Sequence, residues 1–135
     1  MIVVDTNILA YRWLPQGPAG SVEALLRFDP EWAAPFLWRS ELRNVLAGYL
    51  RRGALNVPTA ENVMRHAAAS LLGGEHFVSD EAILKLVARS KCSAYDCEFV
   101  ALAQSLDAPL VTEDKQLLAT FPRVCHSLRR FAPGK

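Results

Sequence analysis

The chain opens on Ile2-Val3-Val4-Asp5, a β-branched run too short for a helix that ends abruptly on an acid. Such a run is the signature of a strand buried on both faces of a parallel sheet. Helical and extended patterns then alternate along the rest of the chain. Thr6-Asn7 caps a short helix through Trp13, closed by Pro15 and the Gly17-Pro18-Ala19-Gly20 loop, and Ser21 starts a second helix that Asp29-Pro30 stops. A strand at Trp32-Ala33-Ala34 precedes a helix between Phe36 and Arg52, where Trp38, Leu42, Val45, Leu46 and Tyr49 form one apolar stripe ended by Gly53. Thr59 caps a helix to Leu72, terminated by Gly73-Gly74 before the strand His76-Phe77-Val78. Ser79 caps a helix over Asp80 to Lys91, and Ser93 caps the next, with Tyr95, Phe99, Leu102, Ala103 and Leu106 as its stripe. A strand at Pro109 to Thr112, a short helix from Asp114 to Thr120 and a strand from Arg123 to Ser127 complete the order. This alternation predicts an α/β fold with helices on both faces of a mainly parallel sheet.

Size and charge narrow the function. A chain of 135 residues with 51% hydrophobic content has material for a single domain over 1–135 with its own core. With 15 Lys+Arg against 14 Asp+Glu, no charged tail advertises a partner, so any attraction to nucleic acid has to come from a local patch. Cys92, Cys97 and Cys125 have no metal-ligand spacing and read as reduced core thiols, and none of His66, His76 and His126 sits where it would recruit zinc. The amino terminus has no basic n-region and no apolar run approaches a membrane span, so a cytoplasmic, membrane-free protein is expected.

Parallel α/β sheets bind ligands beyond the carboxyl ends of their strands, where strand order reverses. Asp5 closes the first strand, and Asp114 comes just after the strand ending at Thr112. Glu41 and Asp96 stand in the first turns of the helices after Pro35 and Ser93. Each has a purely structural alternative: Asp5 as a turn residue, Glu41 as a solvated helix residue, Asp96 as part of a Ser93 capping box, Asp114 as an N-cap. Together they have a different meaning, because four carboxylates gathered at one sheet edge repel one another unless a cation neutralises them. An all-oxygen site suits Mg²⁺ or Mn²⁺, and such ions activate water for phosphodiester hydrolysis. Thr6, Asn7 and Thr112 supply uncharged groups beside the acids, to orient them, to hold substrate or simply to cap helices.

Four blocks in order, Ile2-Val3-Val4-Asp5-Thr6-Asn7-Ile8-Leu9, Pro35-Phe36-Leu37-Trp38-Arg39-Ser40-Glu41-Leu42, Ala94-Tyr95-Asp96 and Leu110-Val111-Thr112-Glu113-Asp114, resemble the PIN-domain nucleases, in particular the VapC-like toxins of toxin–antitoxin modules. The resemblance runs from the first residue to about Val124. It implies a three-layer α/β/α fold with five strands in order 3-2-1-4-5. It further implies a Mg²⁺- or Mn²⁺-dependent endoribonuclease leaving a 5′-phosphate and a 3′-hydroxyl, a homodimer, and a small antitoxin as partner. Asp5, Glu41, Asp96 and Asp114 match the family's metal-binding acids, Thr112 its hydroxyl before the last acid and Asn7 its polar residue after the first. Glu98 and Glu113 are departures that add acids. Arg39 and Arg43 flank Glu41 in sequence and are the candidates to meet RNA phosphate, while Trp13, Trp32 and Trp38 belong either to the core or to apolar surface that a protein interface covers. Two rival readings are a PIN-like binding module without catalysis and a haloacid-dehalogenase-like phosphatase. The phosphatase needs a second acid where this chain has Asn7.

Overall fold

The computed structural model describes residues 1–15 and 19–131. Of the loop expected at Gly17-Pro18-Ala19-Gly20, Gly17 and Pro18 lie outside the described residues, while Ala19 and Gly20 already belong to the second helix, which begins two residues before the expected Ser21. Five strands, β1 (Ile2–Val4), β2 (Trp32–Pro35), β3 (Glu75–His76), β4 (Leu110–Val111) and β5 (Cys125–His126), alternate with helices α1 (Thr6–Trp13), α2 (Ala19–Phe28), α3 (Trp38–Arg51), α4 (Val57–Ser70), α5 (Asp80–Ala88), α6 (Ala94–Leu106), α7 (Lys115–Thr120) and α8 (Leu128–Phe131). All strand pairs are parallel and the order is β3-β2-β1-β4-β5, as the family resemblance implies. Val3 and Val4 point to opposite faces of the sheet and both are fully buried, so helices cover each face. α6 packs on β1, β2 and β4, while α1 packs on α2 and α3.

Register sets the edge that matters. Val3 pairs with Ala33, and Val4 pairs with Val111. One residue further along, Asp5 stands level with Pro35 and Thr112, and Asp5 N–H donates to the Val111 carbonyl at 3.0 Å. The first strand therefore delivers its acid to the point where the order reverses, between two parallel neighbours.

Several local expectations shift. Asn56, not Thr59, caps α4: its side chain accepts from Thr59 N–H at 2.9 Å. Pro58 then falls in the first turn, where a missing N–H costs nothing. β3 is Glu75–His76 rather than His76–Val78, because β2 stops at Pro35, which pairs with His76, and leaves Val78 without a partner strand. The helix expected to reach Lys91 ends at Ala88. α8 is an element that the sequence pattern does not announce. Glu113 accepts from Leu128 N–H at 3.0 Å and so caps its start. Trp38 and Trp32 are not spare surface. They are 0% and 3% exposed and belong to the core, and Trp13 is partly buried against it. The three cysteines are buried and free. No helix among the described residues is long and apolar enough to cross a membrane.

Candidate active site

Asp5 itself caps α1, its extended backbone leading into the helix while Oδ1 accepts from Thr6 N–H at 2.7 Å. This displaces the expected Thr6-Asn7 cap and frees the Thr6 hydroxyl, which donates to Glu41 Oε1 at 2.7 Å. The other Asp5 oxygen, Oδ2, accepts from the fully buried Thr112 hydroxyl at 2.6 Å. Thr112 Oγ1 accepts in turn from Asp114 N–H at 3.0 Å. One hydroxyl thus ties the end of β1 to the turn after β4, and a second ties α1 to α3. Asp114 uses Oδ1 to cap α7 through Leu117 N–H at 2.9 Å. Its structural role is therefore real, and it leaves the second oxygen uncommitted to the cap. Asp96 receives only half a capping box: Ser93 Oγ accepts Asp96 N–H at 3.1 Å, and the Asp96 carboxylate is not required for the cap.

The acids share one electrostatic neighbourhood. Burial pushes the Asp5 carboxyl up to about 6 against its two hydrogen bonds, and the charges of Asp96 and Asp114 push the same way. Burial also raises Glu41, opposed by the Thr6 hydrogen bond and reinforced by Asp5, Asp96 and Glu98. Asp96 is raised by burial and then by Asp114. No ion pair among the described residues involves Asp5, Glu41, Asp96 or Asp114. Among the described residues no three His, Cys, Asp or Glu side chains stand close enough to grip an ion by themselves. The donors that do lie near one another are all carboxylates, the oxygen chemistry that suits Mg²⁺ or Mn²⁺ rather than zinc. Mg²⁺ is commonly held by one or two carboxylates plus substrate phosphate rather than by a full protein cage. Asp5, 8% exposed, stands at the centre of this group, its charge coupled to those of Glu41, Asp96 and Asp114.

The two added acids separate. Glu98 bears on Glu41 and is itself raised by burial, whereas Glu113 is spent on capping α8. Asn7 lines a recess with Tyr11, Val45 and Tyr49, and its buried Oδ1 has no hydrogen-bond partner among the described residues.

The flanking arginines do not join the acids. Residues two apart on a helix point to nearly opposite sides, so Arg39 and Arg43 both project away from Glu41. Arg39 is locked to Glu75 through Nε–Oε2 at 2.7 Å and Nη2–Oε1 at 2.8 Å, and Trp38 Nε1 donates to the same carboxylate at 2.8 Å. Glu75 as the partner was not legible in sequence, since the pair spans 36 positions. Arg43 donates to Ser40 Oγ at 3.2 Å and borders an apolar groove with Leu46, Val57 and Met64.

Comparison with known proteins agrees with this geometry. A PIN domain family model matches residues 2–125. Ribonuclease VapC3 of Pyrobaculum aerophilum is 27% identical over 126 residues, covering 90% of this chain and 95% of that protein. Among solved structures, a toxin–antitoxin complex from Klebsiella pneumoniae superposes with a TM-score of 0.69 at 20% identity, covering 95% of this chain and 98% of that one. FitAcB from Neisseria gonorrhoeae gives 0.63 at 19% identity, covering 86% and 89%. With a parallel sheet in order 3-2-1-4-5, an acid delivered to its reversal point and a family match over nearly the whole length, this chain belongs to the PIN domain family.

Proposed function

We propose that this protein is a Mg²⁺- or Mn²⁺-dependent endoribonuclease that hydrolyses RNA phosphodiester bonds. In this reading it is the toxin of a toxin–antitoxin pair, acts in the cytoplasm as a homodimer and is silenced by a small antitoxin protein. Family membership and the ribonuclease and toxin–antitoxin relatives support the class. The observation that carries the reading is the Asp5 carboxylate, buried, held from two sides by hydrogen bonds and near other acids, with no ion pair to it among the described residues.

A bound divalent ion supplies neutralising charge, acidifies its water and steadies the developing charge on a phosphoryl group. The chain's own residues do the rest. Thr112 fixes the orientation of Asp5, so the carboxylate needs no reorganisation as the reaction proceeds. Thr6 holds one oxygen of Glu41, Oε1, and leaves Oε2 outside that bond. Asp96, half-buried at the first turn of α6, completes the acidic rim with Asp114. Without metal, burial and neighbouring acids make Glu41 and Asp96 hold protons more tightly than ordinary carboxylates, the mutual repulsion that a divalent ion would relieve.

Labelled RNA incubated with the full chain tests the proposal. Cleavage is expected with Mg²⁺ or Mn²⁺, is expected to stop on chelation and to return when metal is restored, and the products should carry 5′-phosphates. Cleavage that persists in EDTA, or products ending in cyclic phosphate, would overturn it. Replacing Thr112 with Val, nearly the same shape, removes both the donor to Asp5 and the acceptor for Asp114 N–H. Its expected effect is a kcat lower by roughly 10–100-fold. The acidic limb of the pH–rate profile should move upward, because Asp5 loses a hydrogen bond that favours its charged form. An unchanged profile would show that Thr112 is only structural.

A further inference from the structure

Beyond the row of acids, the same sheet edge carries aromatic rings that the rest of the fold does not cover. Pro35 and His76 are register partners, and the residues directly after them, Phe36 and Phe77, bring their rings to 4.6 Å between centroids. Phe77 is 89% exposed and Phe36 37%. Because Asp5 stands level with Pro35, this pair lies one residue past the row that holds Asp5, on the two strands next in order. Neighbouring strands are about 4.8 Å apart, so the rings lie within reach of a chain whose phosphate sits at the acids. A third ring, Tyr95, is 64% exposed and directly precedes Asp96.

The arginine at this edge is already committed to a carboxylate, and the next two lie elsewhere. Arg39 is paired with Glu75, Arg43 turns toward the α3–α4 groove, and Arg12 lies over Trp13 and Trp32 at 4.6 and 5.9 Å. The whole chain carries a net charge of only +1. A nucleic acid approaching this edge therefore meets flat apolar rings beside carboxylates, not a basic stripe. Rings hold unpaired bases by stacking, with little regard to sequence, whereas a duplex keeps its base faces hidden.

We propose that Phe36 and Phe77 form a stacking platform for an unpaired base of the RNA beside the scissile phosphate, with Tyr95 as a second contact. This rests on the nuclease reading and names the residues that hold the strand. The platform positions the strand, and the acids cut it.

The test compares the wild-type chain with Phe77→Ala, Phe77→Trp and Tyr95→Ala on one labelled RNA, presented single-stranded and as a perfect duplex. Cleavage is followed with Mn²⁺, and binding by anisotropy with Ca²⁺ in its place. Because Phe77 and Tyr95 are exposed, unchanged melting temperatures are expected. Phe77→Ala should raise KM and the dissociation constant about 10-fold with kcat nearly constant, Phe77→Trp should restore both, and the duplex should be a poor substrate. Equal KM for wild type and Phe77→Ala, or equal cleavage of the duplex, overturns the platform while leaving the nuclease reading intact. Loss of binding in Phe77→Ala without cleavage by any form would sink the nuclease reading and keep the platform. Absence of both binding and cleavage in the wild type would remove both. If Phe77→Ala instead shifts sedimentation from dimer to monomer, and adding protein restores full affinity, the rings belong to a second copy of the chain and the platform is overturned.

Discussion

Replacing Asp5 with Asn should abolish RNA cleavage and at the same time make the metal-free protein more stable. The activity loss is expected to be about 10³-fold or greater, the scale of losing several kcal/mol of charge stabilisation at a metal-assisted centre. The stability gain comes from the raised proton affinity. Folding lifts the Asp5 carboxyl from 3.8 to about 6, so the folded state binds this proton more tightly than the unfolded chain does. A group raised in this way contributes stability fully below its unfolded value and loses it as pH rises through its folded value. The window is therefore from about 4 to about 6, and above it the buried charge costs about 3 kcal/mol. Asn keeps an oxygen to accept from Thr6 N–H but carries no charge. After about 1 kcal/mol is allowed for a poorer hydrogen bond to Thr112, a net gain of roughly 2 kcal/mol remains at pH 8. In melting experiments in EDTA the variant should exceed wild type by roughly 5 °C at pH 8, with no such advantage at pH 4. Added Mn²⁺ should raise the wild type and leave the variant unmoved. A variant that is less stable at pH 8, or that still cuts RNA, would mean that Asp5 is only a helix cap.

The second large effect is a loss of stability, from Gly74→Ala. Gly74 N–H donates to the Leu71 carbonyl at 2.8 Å, and its own carbonyl accepts from Ala34 N–H at 2.9 Å, so it carries the chain from α4 onto the edge of β2. A methyl group at this position would stand 2.2 Å from the Trp32 carbonyl oxygen and 3.3 Å from Ala33 Cα. Both are backbone atoms of a buried strand and have no rotamer by which to yield. Relief requires β3 to move away from β2, which breaks the Gly74–Ala34 hydrogen bond and disturbs the Arg39–Glu75 pair one residue on. The expected cost is about 3 kcal/mol or more, a melting temperature lower by roughly 10 °C. Gly73→Ala is the comparison: its added methyl meets nothing within 4 Å, and only its φ of +80° is strained, so a loss near 1 kcal/mol is expected. Equal losses for the two would show that close approach is not what requires a glycine at position 74.

How far the sequence reached depends on the distance over which each feature is decided. The capping of α5 by Ser79 and of α6 by Ser93, and the burial of the Trp38/Leu42/Leu46 stripe, rest on residues within three or four positions of one another, and the local pattern contained them. The cap of α4 was also local, but Thr59 masked it. The signal was Asn56 two residues before Pro58, which fits a proline in the first turn. Asp5 was legible as an acid ending a β-branched strand. Its second role, as the cap of α1, was obscured by two good capping residues directly behind it.

The flanking of Glu41 by Arg39 and Arg43 suggested a basic rim that helical geometry denies. Two residues of separation on a helix reverse the side, and the partner that claims Arg39 comes from a strand 36 positions away. Glu113 likewise looked like a spare acid until α8 supplied a free N–H for it to cap. The aromatic pair Phe36 and Phe77 left a faint trace, a ring directly after a strand end, but nothing in the sequence shows that two strands place those rings side by side.

The order of strands and helices, the fold class and the delivery of acids to strand ends were set by the sequence itself, because side-chain periodicity and helix caps act over one or two turns. Which acid is held by which hydroxyl was decided only in three dimensions. Thr112 reaches Asp5 across 107 residues and Thr6 reaches Glu41 across 35, and those meetings depend on parallel register and on helices packed to a depth that no local pattern encodes.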